Sequence, residues 1–301
     1  MKYDLITILG CTATGKTKLA VQLADYFNGE IISADSRQVY KGMNIGTGKD
    51  LSEYTINGKS IPYHLIDVID PKEEFNLFTF QQHFYRAFEG IRHRNKIPHL
   101  VGGTGLYLSS VLQDYNLSKA DFESEAKNLS SFSDEELKKI LINLNPKLHN
   151  TTDLNDRERI IKAIVVSKSR SEKKQGHKIS SFNIGVNLLR DEIKKRITAR
   201  LKKRLDKEGM IEEVKALMDS GVSFDKMIFF GLEYKFIAQY LNGELNRNDM
   251  FQKLNSAIHA FAKRQMTWFR KMEKEGIVIH WINGPDFNKA KELIESNFAN
   301  L

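Results

Sequence analysis

The stretch Gly10-Cys11-Thr12-Ala13-Thr14-Gly15-Lys16-Thr17 decides the fold, because it fits the pattern G-x-x-x-x-G-K-[ST] where a strand gives way to a helix. An apolar run over residues 5–9 precedes it, and a helical pattern over residues 16–27 follows it. In such a loop, backbone N–H groups turn inward onto a phosphate chain, the lysine reaches the outer phosphates and the threonine hydroxyl ligates Mg²⁺. The stretch therefore predicts phosphate binding, with Lys16 on the phosphates and Thr17 on the metal. It does not say which molecule carries the phosphates.

Length and composition describe an ordinary globular chain. The 301 residues can bury one large core or two smaller ones, and we take two domains as the working number. No apolar run approaches the roughly 18 residues that a membrane-spanning helix needs, so we expect no interaction with a membrane. The chain enters its first strand directly after residue 4, which predicts a cytoplasmic location without a signal peptide. Cys11 is the single cysteine, which excludes an internal disulfide and a multi-cysteine zinc site.

Positive charge is concentrated in one segment. The formal net charge is +8 and the isoelectric point is near 9.3, which favours a polyanionic partner. Residues 157–204 contain sixteen lysines and arginines against four acidic residues, so the net positive charge of this segment is larger than that of the whole chain. A solvated helix face is the alternative, but such faces usually mix both signs of charge. We therefore interpret the segment as a nucleic-acid surface.

The first part of the chain alternates between strand and helix. Beyond the loop, apolar patterns predict strands over 30–34, 64–69 and 98–101 and a helix over 78–92. This alternation is typical of an α/β fold, here a P-loop NTPase-like core with a mainly parallel sheet. Ligands of such folds gather at the carboxyl ends of the strands. We expect three polar side chains at that edge because each follows a predicted strand, namely Thr12, Asp35 and Thr104.

The second part is mainly helical. Helical patterns over 133–144 and 156–167 predict a helical insertion that spans residues 115–185, between a core of residues 1–114 and a C-terminal part of residues 186–301. A long basic helix follows, with a leucine or isoleucine at every fourth position from Leu189 to Leu205 and a break at Gly209. The remaining predicted elements are helices over 211–219, 236–241 and 249–275, a late strand over 277–282 that returns to the core sheet, and a closing helix over 288–296.

Two loops at the expected edge carry candidate chemistry. Asp35-Ser36-Arg37-Gln38 follows the second strand, and its carboxylate could serve either in catalysis or as the N-cap of a following helix. Gly102-Gly103-Thr104-Gly105 follows the strand over 98–101. In many NTP hydrolases and kinases such a strand ends in an acid that helps to hold Mg²⁺, so the glycines argue against an ATP-driven motor. The apolar neighbours of His64 indicate a core residue rather than a site residue.

A cationic and aromatic segment occurs late in the chain. Lys263-Arg264-Gln265-Met266-Thr267-Trp268-Phe269-Arg270 combines three cations, an amide and two aromatic side chains. Such a set can grip a nucleic-acid backbone and stack on an unpaired base. On an amphipathic helix the aromatic side chains would instead pack into the core, and the spacing alone leaves both interpretations open.

Five motifs occur together in one known family. In this chain they are GCTATGKT (10–17), ISADSRQVYKGMNIGT (32–47), HLID (64–67), VGGTGLY (101–107) and AKRQMTWFR (262–270). Their order and spacing resemble those of the tRNA dimethylallyltransferase family, of bacterial type, and cover most of residues 5–270. The second and last motifs are far more specific than a phosphate loop.

The resemblance implies transfer of a dimethylallyl group from dimethylallyl diphosphate to N6 of adenosine 37, in tRNAs that read codons beginning with U, with release of diphosphate. It implies that Lys16, the loop amides and Mg²⁺ on Thr17 meet the leaving group. Asp35 matches the general base, and Thr104 matches a residue beside the same nitrogen. Arg200 matches an arginine linked to the diphosphate, with the nearby Arg196 as the alternative.

The resemblance also implies how the tRNA binds. A base stacked in the anticodon loop cannot reach a buried crevice, so we expect the nucleotide to be flipped out. We also expect the protein to act as a monomer on the anticodon stem-loop. Among the implied tRNA-binding residues, those that contact the flipped base are Asp35, Ser36, Arg37, Gln38 and Thr104. Those that contact other parts of the tRNA are Glu158, Arg159, Lys162, Lys263, Arg264, Gln265, Trp268 and Arg270.

Several positions depart from the family pattern. Cys11 replaces a proline, Tyr63 a histidine, and His259 an arginine. None of these removes an implied catalytic group. The stretch Gly231-Leu232-Glu233-Tyr234-Lys235 differs from a Gly-Tyr-[Lys/Arg] pattern, and Lys162 replaces an arginine, so the contacts of both with tRNA are left open.

Two rival functions remain at this stage. A small-molecule or nucleotide kinase of the P-loop class would consume ATP and form ADP without tRNA. A non-catalytic RNA-binding protein could keep the loop as a relic, but the intact Lys16, Thr17 and Asp35 argue against it.

Overall fold

The core of the protein is a six-stranded parallel sheet. The computed structural model describes residues 3–115, 117, 127–144, 157–168 and 179–297. The strands of the sheet lie in the order β5-β2-β6-β1-β7-β8, and every neighbouring pair is parallel. They are β1 (Leu5–Gly10), β2 (Gly29–Ala34), β5 (Tyr63–His64), β6 (Ile97–Gly102), β7 (Ser181–Asn187) and β8 (His280–Asn283), and a separate hairpin joins β3 (Thr55–Ile56) to β4 (Lys59–Ser60). The predicted α/β fold is confirmed.

The helices follow the predicted order, with boundaries that differ by a few residues. Two α-helices of the core were not predicted, Gly105–Leu112 and Phe224–Phe230. Ser223 caps the second by accepting a hydrogen bond from the backbone N–H of Lys226 at 3.2 Å. The core helices are α1 (Lys16–Tyr26), α2 (Leu77–His93), α3 (Gly105–Leu112), α6 (Arg190–Lys207), α7 (Met210–Asp219), α8 (Phe224–Phe230), α9 (Leu232–Leu241), α10 (Arg247–Lys274) and α11 (Phe287–Asn297).

Hydrophobic side chains cover both faces of the sheet. Successive residues of a strand point to opposite faces, so Ile6 and Ile8 of β1 pack with buried residues of α1 and α11. Leu5 and Leu9 pack on the other side, with buried residues that include those of α2, α6 and α10. Burial on both faces is typical of a parallel sheet and leaves only its strand ends free to form a site.

Residues Asp114–Lys178 form a second compact unit. Its described helices include α4 (Asp134–Leu144) and α5 (Arg157–Lys168), in the region of the predicted helical insertion. Leu137 and Leu141 of α4 are buried together with Ile160 and Ile164 of α5. These apolar contacts give the unit a small core of its own.

The strand β7 corrects the predicted extent of the insertion. Residues 181–185 were expected in the helical insertion, but they belong to β7, which pairs with β1 on one side and β8 on the other. Phe182, Ile184 and Val186 are buried, while the intervening Asn183 and Gly185 weaken the apolar pattern in the sequence. The late strand does return to the core sheet as predicted, at the outer side of β7.

The prediction of a strand over 64–69 is mostly wrong, because the strand in the structure ends at His64. Only Tyr63 and His64 pair with β2, because Leu65 (φ 63°) and Asp67 (φ 55°) adopt left-handed backbone conformations that end the strand. His64 is partly buried, and its Nε2 lies 2.8 Å from Oε2 of Glu30, so its side chain serves the fold.

The carboxylate of Glu30 organises this edge of the sheet. It is 3% exposed and accepts hydrogen bonds from Arg94 at 2.6 and 3.0 Å, with Lys96 at 3.3 Å. Burial raises the pKa of Glu30, but hydrogen bonds from Arg94, His64 and Lys96 outweigh it and lower the pKa from 4.5 to about 2. The ionised carboxylate therefore stabilises the fold.

Candidate active site

The phosphate loop lies where the three central strands end. The register pairs Leu9 of β1 with Gly102 of β6, and Gly102 with Ala34 of β2. The loop after Gly10, the Asp35 turn and Gly103 therefore leave the sheet at one edge, as predicted from the strand ends. α1 begins at Lys16 directly after the loop, so the N–H groups of its first turn face this edge.

The loop has the backbone geometry that its glycines suggested. Gly15 precedes α1 with φ 84°, and Ala13 has φ 65°, both in the left-handed region. The Thr14 hydroxyl donates to the carbonyl of Cys11 at 2.9 Å, which closes the loop. Cys11 is fully buried, and burial raises the pKa of its thiol. Burial therefore favours the protonated thiol, which is less nucleophilic than the thiolate.

The ammonium of Lys16 is desolvated beside the loop. Its Nζ lies 3.5 Å from the carbonyl oxygen of Cys11. Burial lowers the pKa of Lys16, the charge of Asp35 opposes that shift, and the charge of Arg200 adds to it. A phosphate group arriving here would restore the interactions that the ammonium has lost to burial.

The structure distinguishes the two candidate arginines of α6. Nη2 of Arg200 donates a hydrogen bond to the Thr12 hydroxyl in the loop. Burial lowers the pKa of Arg200 to about 10, and the neighbouring charge of Arg204 contributes. Arg196 is exposed and pairs with Glu192 at 2.6 Å on its own helix. Arg200, and not Arg196, therefore lies at the phosphate loop.

Asp35 caps a turn rather than a helix. Oδ1 of Asp35 accepts the backbone N–H of Arg37 at 2.9 Å, and no helix follows directly. The Thr104 hydroxyl accepts the backbone N–H of Ser36 at 3.1 Å, and the N–H of Thr104 donates to the carbonyl of Ala34 at 3.2 Å. Asp35 and Thr104 thus lie together, as the sequence predicted.

Arg37 and Gln38, both predicted to read a base, make bonds within the protein. Nη2 of Arg37 donates to the carbonyl of Phe229 at 3.0 Å. The Gln38 side chain accepts from the Ser33 hydroxyl at 3.0 Å and donates to the carbonyl of Gly48 at 3.2 Å. Both side chains therefore hold the turn in shape.

Gln265 lies inside the fold. Its side chain is 7% exposed, accepts the backbone N–H of Thr12 at 2.9 Å and donates to the carbonyl of Gly103 at 2.9 Å. A Cβ atom on Gly103 would lie only 2.3 Å from Nε2 of Gln265, so only glycine allows this approach. Gln265 thus joins the phosphate loop to the end of β6, and its predicted direct contact with tRNA does not fit this burial.

The other predicted residues of α10 divide into two groups. Trp268 is half-buried and donates from Nε1 to the Ser109 hydroxyl at 2.8 Å. Lys263, Arg264 and Arg270 are exposed. For Trp268, which packs against α3, the core interpretation fits better, whereas the three cations are available to a polyanion.

Three further residues that the resemblance implied as tRNA contacts are on α5. The side chains of Glu158, Arg159 and Lys162 lie outside the described part of the chain.

The carboxylate of Glu213, which no sequence motif marks, holds the backbone of the second motif (32–47) in place. Glu213 of α7 accepts the backbone N–H groups of Asn44, Ile45 and Gly46 at 2.8, 2.6 and 3.0 Å, and the Tyr234 hydroxyl at 2.9 Å. Nothing local in the sequence marks Glu213, because the three backbone N–H groups that it accepts are more than 160 residues away in the chain.

The described ranges hold no cluster of three or more histidine, cysteine, aspartate or glutamate side chains suited to a metal ion. A metal at this edge would therefore rely on Thr17 and on oxygens of the bound phosphates. Among the helices that the structure describes, none is both long enough and apolar enough to cross a membrane.

Comparison with known proteins gives one consistent family. The family model described as IPP transferase matches residues 38–272, and the model described as isopentenyl transferase matches residues 3–61. The chain is 50% identical over 302 residues to tRNA dimethylallyltransferase 1 of Geotalea uraniireducens (strain Rf4), with 99% of each chain covered. It is 52% identical over 287 residues to tRNA dimethylallyltransferase 1 of Geotalea daltonii, with 94% of this chain and 92% of the relative covered.

Solved structures agree with the sequence relatives. The full-length tRNA isopentenylpyrophosphate transferase of Bacillus halodurans superposes with a TM-score of 0.70 at 32% identity, covering 98% of this chain and 95% of that one. The core is accordingly P-loop NTPase-like, as its loop and strand alternation predicted. On these grounds, the chain belongs to the IPP transferase family.

Proposed function

We propose that this chain is a tRNA dimethylallyltransferase, which transfers a dimethylallyl group from dimethylallyl diphosphate to N6 of adenosine 37 in tRNAs that read codons beginning with U. The observation that carries the proposal is the meeting of Lys16, Arg200 and Asp35 at one sheet edge. Two cations and a loop of N–H groups suit a departing diphosphate, and a carboxylate suits a nucleophile that must lose a proton.

The leaving group is the diphosphate. As the bond between the allylic carbon and the diphosphate oxygen breaks, the carbon gathers positive charge and the oxygen negative charge. Lys16 and Arg200 stabilise that developing negative charge, and burial strengthens the interaction because little water screens it.

Mg²⁺ is the cofactor of this proposal, and the donor chemistry of the loop fits it. The Thr17 side chain is half-buried at the start of α1, and its hydroxyl makes no hydrogen bond to the described part of the protein. Mg²⁺ typically takes one or two protein oxygens and completes its shell with phosphate oxygens and water. When bound, the ion neutralises negative charge on the diphosphate.

The nucleophile is the exocyclic amine of the flipped adenine. Its lone pair is delocalised into the ring, so an acceptor for its proton strengthens the attack. In this step the new carbon–nitrogen bond forms at N6, the carbon–oxygen bond to diphosphate breaks, and the N6 proton passes to Asp35. Oδ1 of Asp35 already accepts the N–H of Arg37, which orients the carboxylate. Thr104 lies beside the same turn through its bond to Ser36 and would contact the same nitrogen.

The tRNA would bind through exposed cations. Lys263, Arg264 and Arg270 are exposed on α10, as are Lys194 and Lys195 on α6. Phosphate neutralisation by such side chains makes affinity fall steeply as salt rises. A salt-independent affinity for tRNA would contradict this part of the proposal. We further propose that the protein works as a cytoplasmic monomer.

A P-loop kinase is the competing function. Many such kinases hold Mg²⁺ with the help of an acid at the end of the corresponding strand, whereas β6 runs into Gly102 and Gly103. Incubation of the protein with tRNA and dimethylallyl diphosphate, followed by nucleoside mass analysis, separates the two. We expect N6-isopentenyladenosine and diphosphate without ATP. Transfer of labelled γ-phosphate from ATP to any acceptor, without prenylated adenosine, would refute the proposal.

A further inference from the structure

An exposed aromatic side chain lies beside the Asp35 turn. Phe229, in the last turn of α8, is 55% exposed. The adjacent Phe230 is 2% exposed, and its ring lies 4.9 Å from that of Tyr40 and 5.8 Å from that of Tyr234. Phe230 therefore fills the core at this point, and the packing of the fold does not require an aromatic side chain at position 229.

Two fixed cations flank the ring of Phe229. Cζ of Arg37 lies 5.4 Å and Nζ of Lys226 lies 5.3 Å from the ring centroid. Hydrogen bonds hold both cations: Arg37 donates to the carbonyl of Phe229 at 3.0 Å, and Lys226 donates to the carbonyl of Glu73 at 2.7 Å. An aromatic face beside positive charge is the combination that binds single-stranded RNA, where the base stacks and its phosphates meet the cations.

Hydrogen bonds of Arg37 link Phe229 to the turn that carries Asp35, the proposed general base. Arg37, whose guanidinium holds the Phe229 carbonyl, is only two residues beyond Asp35, and its N–H is bound by the Asp35 carboxylate. Tyr26 provides a contrast, because it is also exposed (49%) and has Nζ of Lys291 4.2 Å from its ring centroid. Tyr26 ends α1, about 15 Å along the helix from the phosphate loop.

We propose that Phe229, flanked by Arg37 and Lys226, stacks on the unpaired RNA base next to the one that enters the crevice. The inference rests on the proposed function for the identity of the RNA. It adds a specific contact to that function: the neighbouring base is held outside the crevice while the reacting base is turned inward. Any base can stack on the ring, because stacking does not read hydrogen-bonding groups.

A double-mutant cycle of binding affinities, in which protein and RNA are each altered, tests the contact without requiring catalysis. The probe is an RNA hairpin with the anticodon-loop sequence, either intact or with the base removed at one of the two nucleotides flanking adenosine 37. Affinities are measured for the wild type, Phe229→Ala, Phe229→Trp and the control Tyr26→Ala, after thermal melting shows that each variant folds. We expect removal of one flanking base to weaken wild-type binding roughly 5- to 100-fold.

The same base removal should change the affinity of Phe229→Ala by less than about twofold, since the stack is already lost. Phe229→Trp should restore the sensitivity to base removal, and Tyr26→Ala should bind both RNAs like the wild type. Equal sensitivity of wild type and Phe229→Ala at both flanking nucleotides would overturn the inference. So would self-association of the wild type that Phe229→Ala abolishes while RNA affinity stays unchanged.

The outcome also separates this inference from the proposed function. A wild type that prenylates the intact hairpin but shows no coupling between Phe229 and either flanking base would refute only the stacking contact. Coupling without any prenyl transfer would support the contact and refute the enzymatic proposal. Failure of the wild type to bind the hairpin at all would overturn both.

Discussion

Replacing Gln265 by leucine tests whether this side chain stabilises the fold or contacts tRNA directly. Leucine has a similar size but no polar group, so Gln265→Leu leaves the backbone N–H of Thr12 and the carbonyl of Gly103 without their partners, both at 2.9 Å in the wild type. An unsatisfied buried group costs about 1–3 kcal/mol. Because the Thr12 bond is only partly buried, we expect a total loss of about 2–5 kcal/mol, which lowers Tm by roughly 5–15 °C.

The neighbouring Arg264 supplies a matched control, because it is exposed on the same helix and can receive the same new side chain. Arg264→Leu should change Tm by no more than about 2 °C but weaken tRNA binding and reduce its salt dependence, because one cation is lost. The assay is thermal melting by circular dichroism, paired with filter binding of tRNA at several salt concentrations. An unchanged Tm for Gln265→Leu, together with weakened tRNA binding, would refute the structural role and restore direct contact.

Three further predictions concern the reacting groups and the sheet. In Asp35→Asn the side-chain oxygen can still accept the hydrogen bond from the N–H of Arg37, but the amide cannot take a proton from N6. We therefore expect kcat to fall about 10²- to 10⁴-fold while the Kd for tRNA changes less than about threefold. Arg200→Lys should lower kcat/KM for dimethylallyl diphosphate about 10- to 100-fold, whereas Arg196→Lys should stay within about twofold, as steady-state kinetics can show. The carboxylate of Glu30 has its pKa lowered from 4.5 to about 2, so its stabilisation is present above pH 4.5 and lost as pH falls toward 2. Chemical denaturation across this range should therefore show a loss of about 3 kcal/mol in the wild type that is absent from Glu30→Gln.

Each of these expectations has a contradicting result. Parallel losses of turnover and tRNA affinity in Asp35→Asn would mean that the carboxylate binds rather than reacts. Similar kinetics for the two arginine variants would remove the distinction that the bond between Arg200 and Thr12 supports. Parallel acid-stability curves for the wild type and Glu30→Gln would show that the cations around Glu30 do not favour its ionised form.

The site could be predicted in part because its elements are local in sequence. The residues of the phosphate loop are consecutive, and the alternation of apolar runs with helical patterns fixes which polar residues follow a strand. Thr12, Asp35 and Thr104 were therefore expected at one edge, and the register of β2, β6 and β1 brings their strand ends together. Such inferences need only the rule that parallel strands end on the same side of a sheet.

Errors arose where a local pattern was weak or the backbone was exceptional. β7 was missed because Asn183 and Gly185 interrupt its apolar residues, although the strand is buried between β1 and β8. The strand expected beyond His64 stops at Leu65, whose left-handed φ of 63° is set by the surrounding structure rather than by the residue type.

The sequence by itself determined the phosphate loop, the α/β alternation, the excess of positive charge and the motifs that mark the family. Only the tertiary structure decided which side chains serve the loop. Gln265 reaches the N–H of Thr12 across 253 residues of chain, and Arg200 reaches the Thr12 hydroxyl across 188. The physical reason is that sequence patterns report a residue's preference for burial or for a helix face, whereas a hydrogen bond depends on which distant backbone group the folded chain brings within about 3 Å.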